Sequence, residues 1–255
     1  MTGSQFTDET QSFGYRERIY QHYVYARDQM IAPPTLEGLK PRAPYLTKLV
    51  QTHFPEDRRS AILDLGCGHG ALIHFARRYG YTNIRGVDRS PEQVAVARQL
   101  GIDGIEEGDL LAALSAQGEA SLDVVVAFDV IEHFTRGELL GFVDQVHHVF
   151  RPDVCWIIHT ANGESPFCGR IRYGDLTHEL VFTQKSISQL LLSSGFSKVQ
   201  CFEDAPIPHG LKSAARWVVW KVIRSSLRFY LAAETGDTAG NAIFSQNFLV
   251  VAEKG

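Results

Sequence analysis

The chain has 255 residues, 44% of them hydrophobic, and a formal net charge of −4. That charge argues against a whole-protein basic footprint for nucleic acid, and no apolar run approaches the roughly 20 residues a membrane-crossing helix needs. Cys67, Cys155, Cys168 and Cys201 are widely spaced with no C-x-x-C pair, so they read as reduced cytosolic thiols rather than a disulfide frame or a zinc site.

Met1 to Glu9 lack the basic and apolar regions of a signal peptide, which points to a cytoplasmic location. Tyr15 to Met30 reads as a helix rich in Tyr and Arg, stopped by Pro33-Pro34, and a second helix is expected from about Pro44 to Phe54. Residues 1–60 are therefore read as a helical cap, and 61–255 as the main domain. Strands are expected near 61–65, 83–87, 104–107, 122–128, 154–159, 197–203 and 243–251, with helices near 70–79, 91–99, 137–150 and 183–194. Strands that alternate with helices predict an α/β fold whose sheet is covered on both faces. Two long connections, 160–183 and 206–240, read as insertions that serve as lids or binding elements and, together with the N-terminal helices, as the sources of acceptor specificity.

The most telling stretch is Ile62-Leu63-Asp64-Leu65-Gly66-Cys67-Gly68-His69-Gly70, an apolar run ending in an acid and three glycines at alternate positions. Glycines at a strand-to-helix turn let the backbone approach a ligand where a Cβ would collide. About twenty residues on, Val87-Asp88 ends a second strand in a carboxylate placed to accept from ribose hydroxyls. Glu107-Gly108-Asp109-Leu110 closes a third strand, and Phe128-Asp129-Val130-Ile131-Glu132-His133 a fourth.

In these four motifs the chain resembles the class I S-adenosylmethionine-dependent methyltransferases. The resemblance implies a Rossmann-like, seven-stranded, mostly parallel sheet with an antiparallel last strand, and S-adenosyl-L-methionine as cofactor. It implies cofactor contacts from Asp64, Gly66, Cys67, Gly68, Gly70, Asp88, Arg89, Asp109, Leu110, Phe128, Asp129 and Val130. Asp109 has a second reading as a helix cap, and Ser90-Pro91 fits the start of the following helix. Glu132-His133 reads either as a turn-setting pair or, through His133, as part of the catalytic apparatus.

The acceptor side is expected in Ile158 to Thr183, where polar and ionisable groups are interleaved with Phe167, Tyr173 and Phe182. A solvated loop has no need of those aromatics. His178 looks like the histidine before the last long helix of many small-molecule O-methyltransferases, including the ubiquinone-pathway type. It is read as the general base, oriented by Asp175 or Glu179. No ligand spacing such as H-E-x-x-H is present, so no metal is expected. The loop also looks like methyltransferases of bacterial surface-sugar pathways. The favoured acceptor is accordingly a hydroxyl of a sugar or sugar conjugate, free or nucleotide- or phosphate-linked. A quinone or polyketide phenol, an amine, and a cofactor-binding scaffold without activity remain as alternatives.

Leu211 to Glu234 mixes Lys212, Arg216, Lys221, Arg224 and Arg228 with large apolar residues. It reads as a helix that packs over the pocket, forms a homodimer interface or touches a membrane surface peripherally. The run Trp217-Val218-Val219-Trp220 covers most of a helix circumference and predicts burial on more than one side.

Overall fold

The computed structural model describes residues 15–24 and 33–255. Within them the elements run α1 (Tyr15–Tyr20), a 3-10 segment (Leu36–Arg42), α2 (Ala43–His53), β1 (Ile62–Leu65), α3 (Ala71–Arg78), β2 (Ile84–Asp88), α4 (Pro91–Gln99), β3 (Ile105–Glu107), α5 (Leu110–Ser115) and β4 (Leu122–Phe128). They continue with a 3-10 turn (Ile131–His133), α6 (Arg136–Val149), β5 (Phe150–Ala161), α7 (Cys168–Arg172), α8 (Gln184–Ser193), β6 (Lys198–Glu203), α9 (Leu211–Thr235) and β7 (Asn247–Glu253). The helix expected over 15–30 is helical to Tyr20 and in turns to Val24. Positions 25–30 lie outside the described residues.

The seven strands form one sheet in the order β3-β2-β1-β4-β5-β7-β6. Strands β1 to β5 are mutually parallel, and β7 runs antiparallel between β5 and β6. The order reverses between β1 and β4, and a crevice opens beyond the carboxyl ends of the strands at such a switch point. Register sets the walls of that crevice: Leu65 lies opposite Val87, Asp88 opposite Glu107, and Phe128 opposite His159.

Both faces of the sheet are covered, as its near-continuous apolar strands require. On one face Phe142 of α6 meets Trp156 edge-on with ring centroids 5.8 Å apart, and Trp156 leans on Phe196 at the same distance. On the other face Leu46, Leu49 and Val50 of α2 join α3 and α4 over β1 and β2. Helix α2 and Leu39 of the 3-10 segment thus share the sheet's own core.

Three departures from the sequence reading have local causes. A short helix, α5, follows β3 because Asp109 accepts from the Leu111 and Ala112 amides at 3.0 and 3.1 Å, which is helix capping. Strand β7 starts at Asn247 rather than 243. Upstream, Asn162 Nδ2 donates to the Ile243 and Ser245 carbonyls, both at 2.8 Å, and the Asn162 amide donates to Gln246 O, so side-chain and loop bonds replace a ladder there. Finally, α9 buries none of its residues fully, contrary to the burial expected of Trp217 to Trp220. Among the described residues no helix is long and apolar enough to cross a membrane.

Candidate active site

A cavity of about 560 Å³ lies at the carboxyl edge of β1, β2 and β4. Its size suits a small-molecule site. The loop after β1 forms one wall. Gly66, Gly68 and Gly70 have φ of 67°, 56° and 79°, in the left-handed region that only glycine enters cheaply. Their roles differ. A Cβ on Gly66 would sit 2.5 Å from Val130 Cγ2, and one on Gly70 would overlap Ile105, so these two allow the protein to pack on itself. A Cβ on Gly68 would meet only the Gln93 side chain, at 3.7 Å, leaving that backbone open to the cavity. Gly70 does not line the cavity; it caps α3 instead. Every other residue expected at the cofactor site from the sequence lies on the cavity wall: Asp64, Gly66, Cys67, Gly68, Asp88, Arg89, Asp109, Leu110, Phe128, Asp129 and Val130.

Asp88 clasps the loop. One carboxylate oxygen accepts from the Gly68 amide at 2.7 Å and the other from the Ser90 amide at 2.8 Å. A carboxylate has about four lone-pair sites, so two remain for hydroxyls in the cavity. Ser90 in turn caps α4, with Pro91 at its first position. Burial pushes the Asp88 carboxyl upward against the pull of those two amides. Asp64 is almost fully buried, and burial followed by the negative charge of Asp88 raises it to about 8. A cationic group bound nearby would reverse that and ionise it. Burial likewise pushes the Cys67 thiol up, so it is an inert wall rather than a nucleophile. Asp109 spends its side chain on the α5 cap and lies 4.0 Å from Arg89.

The turn after β4 is held under strain. Asp129 has φ of 55°, uncommon for a residue with a side chain. It accepts from His159 Nδ1 at 2.8 Å, while His159 Nε2 reaches Asp204 at 3.4 Å. Burial alone would lower His159, but the two carboxylates, Asp129 foremost, raise it to about 10. His159 is therefore an imidazolium at neutral pH and a positioning group, unfit as a base. Glu132 beside it is raised to about 8 by burial and by Asp129, and accepts from Thr160 Oγ1 at 2.9 Å.

His133, Asp175 and His178 converge in the same cavity, their ligand-type atoms all within 4.8 Å of one another. The two imidazole rings meet edge-on at 4.7 Å. Hydrogen-bond logic fixes their tautomers. His178 Nδ1 lies 2.9 Å from the Ile171 carbonyl, which can only accept. Thr177 Oγ1 donates to Asp175 at 2.6 Å, so it accepts from His133 Nδ1 at 2.8 Å. In the neutral form each ring thus carries its proton on Nδ1 and keeps the Nε2 lone pair. Burial, then the neighbouring His178, lowers His133 to about 4.

This corrects two expectations. The partner of His178 is a backbone carbonyl, and Asp175 orients His133 through Thr177. Glu179 accepts instead from Tyr15 Oη and from Arg16 at 3.3 Å, which ties α1 to the loop. The aromatics of the loop also divide: Phe182 is core, whereas Phe167 and Tyr173 are 62% and 82% exposed. The N-terminal helices are expected from the sequence to contribute to acceptor specificity, but none of their residues is singled out there; Arg16, Tyr20 and Tyr23 line the cavity, as does Phe134. Tyr20 and Arg16 sit in the Tyr- and Arg-rich helix pattern, but no spacing signal joins them to residues more than a hundred positions away.

A glycine-loop crevice at the switch point of a seven-stranded sheet of this order defines a nucleoside-type cofactor site. A family model described as a methyltransferase domain matches residues 39–201, and the chain belongs to that family. Its cofactor is S-adenosylmethionine. The open backbone at Gly68, the spare acceptor sites on Asp88 and the buried acid Asp64, which a cation would ionise, fit that group.

The chain is 30% identical over 132 residues to a ubiquinone biosynthesis O-methyltransferase of Chelativorans sp. strain BNC1, covering 48% of this chain and 51% of that protein. It thus spans about half the length of the curated relatives it matches. It is 28% identical over 104 residues to the cyclopropane mycolic acid synthase MmaA2 of Mycobacterium tuberculosis, covering 40% of this chain and 36% of that one. Among solved structures, a SAM-dependent methyltransferase from Archaeoglobus fulgidus shares the fold with a TM-score of 0.65 at 18% identity, covering 91% of this chain and all of that one, 100%.

Proposed function

We propose that this chain methylates a hydroxyl of a small aromatic acceptor, with the His133–His178 pair receiving the acceptor's proton. One observation carries the reading. Two imidazoles with free Nε2 lone pairs line the same cavity as the glycine loop and Asp88. Bound S-adenosylmethionine supplies a methyl group on a cationic sulfur, a good leaving group. The residues of the chain then have three tasks: to hold a hydroxyl in line, to keep water away, and to take a proton from an oxygen of high pKa. His178 and His133 are the proposed bases. The turn Asp175-Leu176-Thr177 positions His133, and the Ile171 carbonyl positions His178.

Tyr20, Tyr23, Phe134 and Ile171 line this cavity and suit a planar ring better than a polyhydroxylated one. The curated relatives named as ubiquinone O-methyltransferases agree with a phenolic hydroxyl. The comparisons lend no support to the sugar acceptor favoured from the sequence. The test is S-adenosylhomocysteine release by the purified protein with panels of phenols, sugars with their nucleotide conjugates, and amines. Turnover with phenols is expected. Turnover confined to sugars or amines would overturn the aromatic reading, and binding without turnover across all panels would favour a scaffold.

A further inference from the structure

The segment least accounted for by the site is α9, 25 residues between β6 and β7. It carries five basic residues (Lys212, Arg216, Lys221, Arg224 and Arg228) against one acid (Glu234), within a chain whose net charge is −4. Its inner side is fastened to the sheet edge: Arg224 pairs with Glu203 at the end of β6 and donates to the Ala242 carbonyl at 3.1 Å. The outer side has no partner among the described residues. At helical spacing, Leu211, Val218, Val222 and Phe229 fall on one line along that side, and Leu211, Val222 and Phe229 are 92%, 63% and 78% exposed. Val219, Ile223 and Tyr230 widen the stripe.

The charges are not spread at random around it. With 3.6 residues per turn, Lys212 shares the azimuth of Tyr230 at one edge of the stripe with Arg216 just beyond it, and Lys221 borders the other edge, where Arg228 follows with its guanidinium turned against Gly240. Lys221 lies over the Trp217 ring at 5.2 Å, an apolar stem and aromatic at the border with a charge at the tip. An apolar stripe with bases along both edges is the pattern of a helix lying in an anionic lipid interface. The same charges disfavour a second copy as occupant, because self-pairing along the stripe would bring like charges together with one acid per helix to offset them.

We infer that α9 is a peripheral docking helix for an anionic lipid surface. It takes Leu211, Val218, Val222 and Phe229 into the interface and sets Lys212, Arg216 and Lys221 against the head groups. Strand β6 is antiparallel to β7, which is antiparallel to β5, so α9 leaves the sheet at the carboxyl edge that also carries the cavity. Docking of α9 would therefore bring that edge near the bilayer. The inference stands independently of the proposed acceptor.

The experiment is sedimentation of the full chain with vesicles of phosphatidylcholine alone and of phosphatidylcholine mixed with phosphatidylglycerol. Binding is expected only with phosphatidylglycerol present, and weakening as salt rises. Replacing Lys212 and Lys221 by Gln should weaken partitioning by about five-fold for each charge removed. Val222→Glu combined with Phe229→Glu should abolish it. These side chains face solvent, and an unchanged melting curve and S-adenosylhomocysteine affinity for each variant exclude misfolding as the cause. Equal binding to neutral vesicles, or none to either, overturns the inference. A dimer in sedimentation equilibrium that the Val222/Phe229 variant dissolves, without lipid binding, assigns the face to a second copy and also overturns it.

Discussion

Replacing Asp88 by Ala tests the cofactor end of the site most directly. The wild-type carboxylate accepts from two backbone amides, Gly68 at 2.7 Å and Ser90 at 2.8 Å. Hydrogen bonds to a charged group contribute about 1.5–3 kcal/mol each. Burial works against the ionised form of Asp88, and water from the cavity can reach the freed amides. The net stability loss is therefore expected at about 1–3 kcal/mol, leaving the fold intact. Loss of the remaining carboxylate lone pairs for ribose hydroxyls should cost a further ~2–3 kcal/mol of cofactor binding, a ~30- to 150-fold rise in Kd. Asp88→Asn sharpens the test. Both carboxylate oxygens face N–H donors, so the amide of Asn must turn its own NH2 toward one of them. Asn should therefore lose nearly as much affinity as Ala, although it is nearly isosteric. The assay is calorimetric titration with S-adenosylhomocysteine, alongside urea unfolding. Wild-type affinity in Asp88→Asn would refute both the clasp and the ribose assignment.

For proton transfer, His178→Ala should leave cofactor affinity nearly unchanged and lower single-turnover methylation about 10²–10⁴-fold; a wild-type rate would pass the role to His133. Turnover is expected to persist in excess EDTA. Loss of activity restored by added magnesium would overturn the metal-free reading and make His133, Asp175 and His178 the ligands, since the fold brings them within 4.8 Å. Asp64 and Glu132, both raised to about 8 in the folded chain, should make stability fall as pH rises. The unfolded carboxyls ionise from about pH 4 while the folded ones keep their protons, so their contribution is full below that pH and is lost on rising through 8. Asp64→Asn should flatten the dependence of urea midpoint on pH between 5 and about 8; an unchanged slope would show that Asp64 is ionised throughout.

Periodicity and punctuation in the sequence sufficed for much of this molecule. Ile62 to Leu65 and Leu122 to Phe128 are short, β-branched-rich apolar runs closed by polar turns, and that length and punctuation favour buried strands over helices. The glycines after β1 announce a left-handed turn because few other residues tolerate that backbone, and Ser90-Pro91 announces a helix start for equally local reasons. Signals of that kind need no knowledge of what lies across the fold. The use of each glycine was a different matter: Gly70 faces Ile105 rather than the cavity, and only the packed structure shows which side chain occupies the space a Cβ would fill. The same holds for the acceptor side. His133 and His178 were each visible as ionisable residues, but their meeting depends on the turn after β4 lying against the loop after β5. The threonine between them sets one tautomer and a carbonyl of α7 the other. Burial, which moves Asp64, Glu132 and His133 so far, comes from neighbours distant in the chain. For α9 the composition was legible and the orientation was not. Leu211, Val218, Val222 and Phe229 lie on the side away from the sheet because Arg224 fastens the other side, which carries the half-buried Trp220, Leu227 and Leu231, to Glu203, a contact made across 21 positions of sequence.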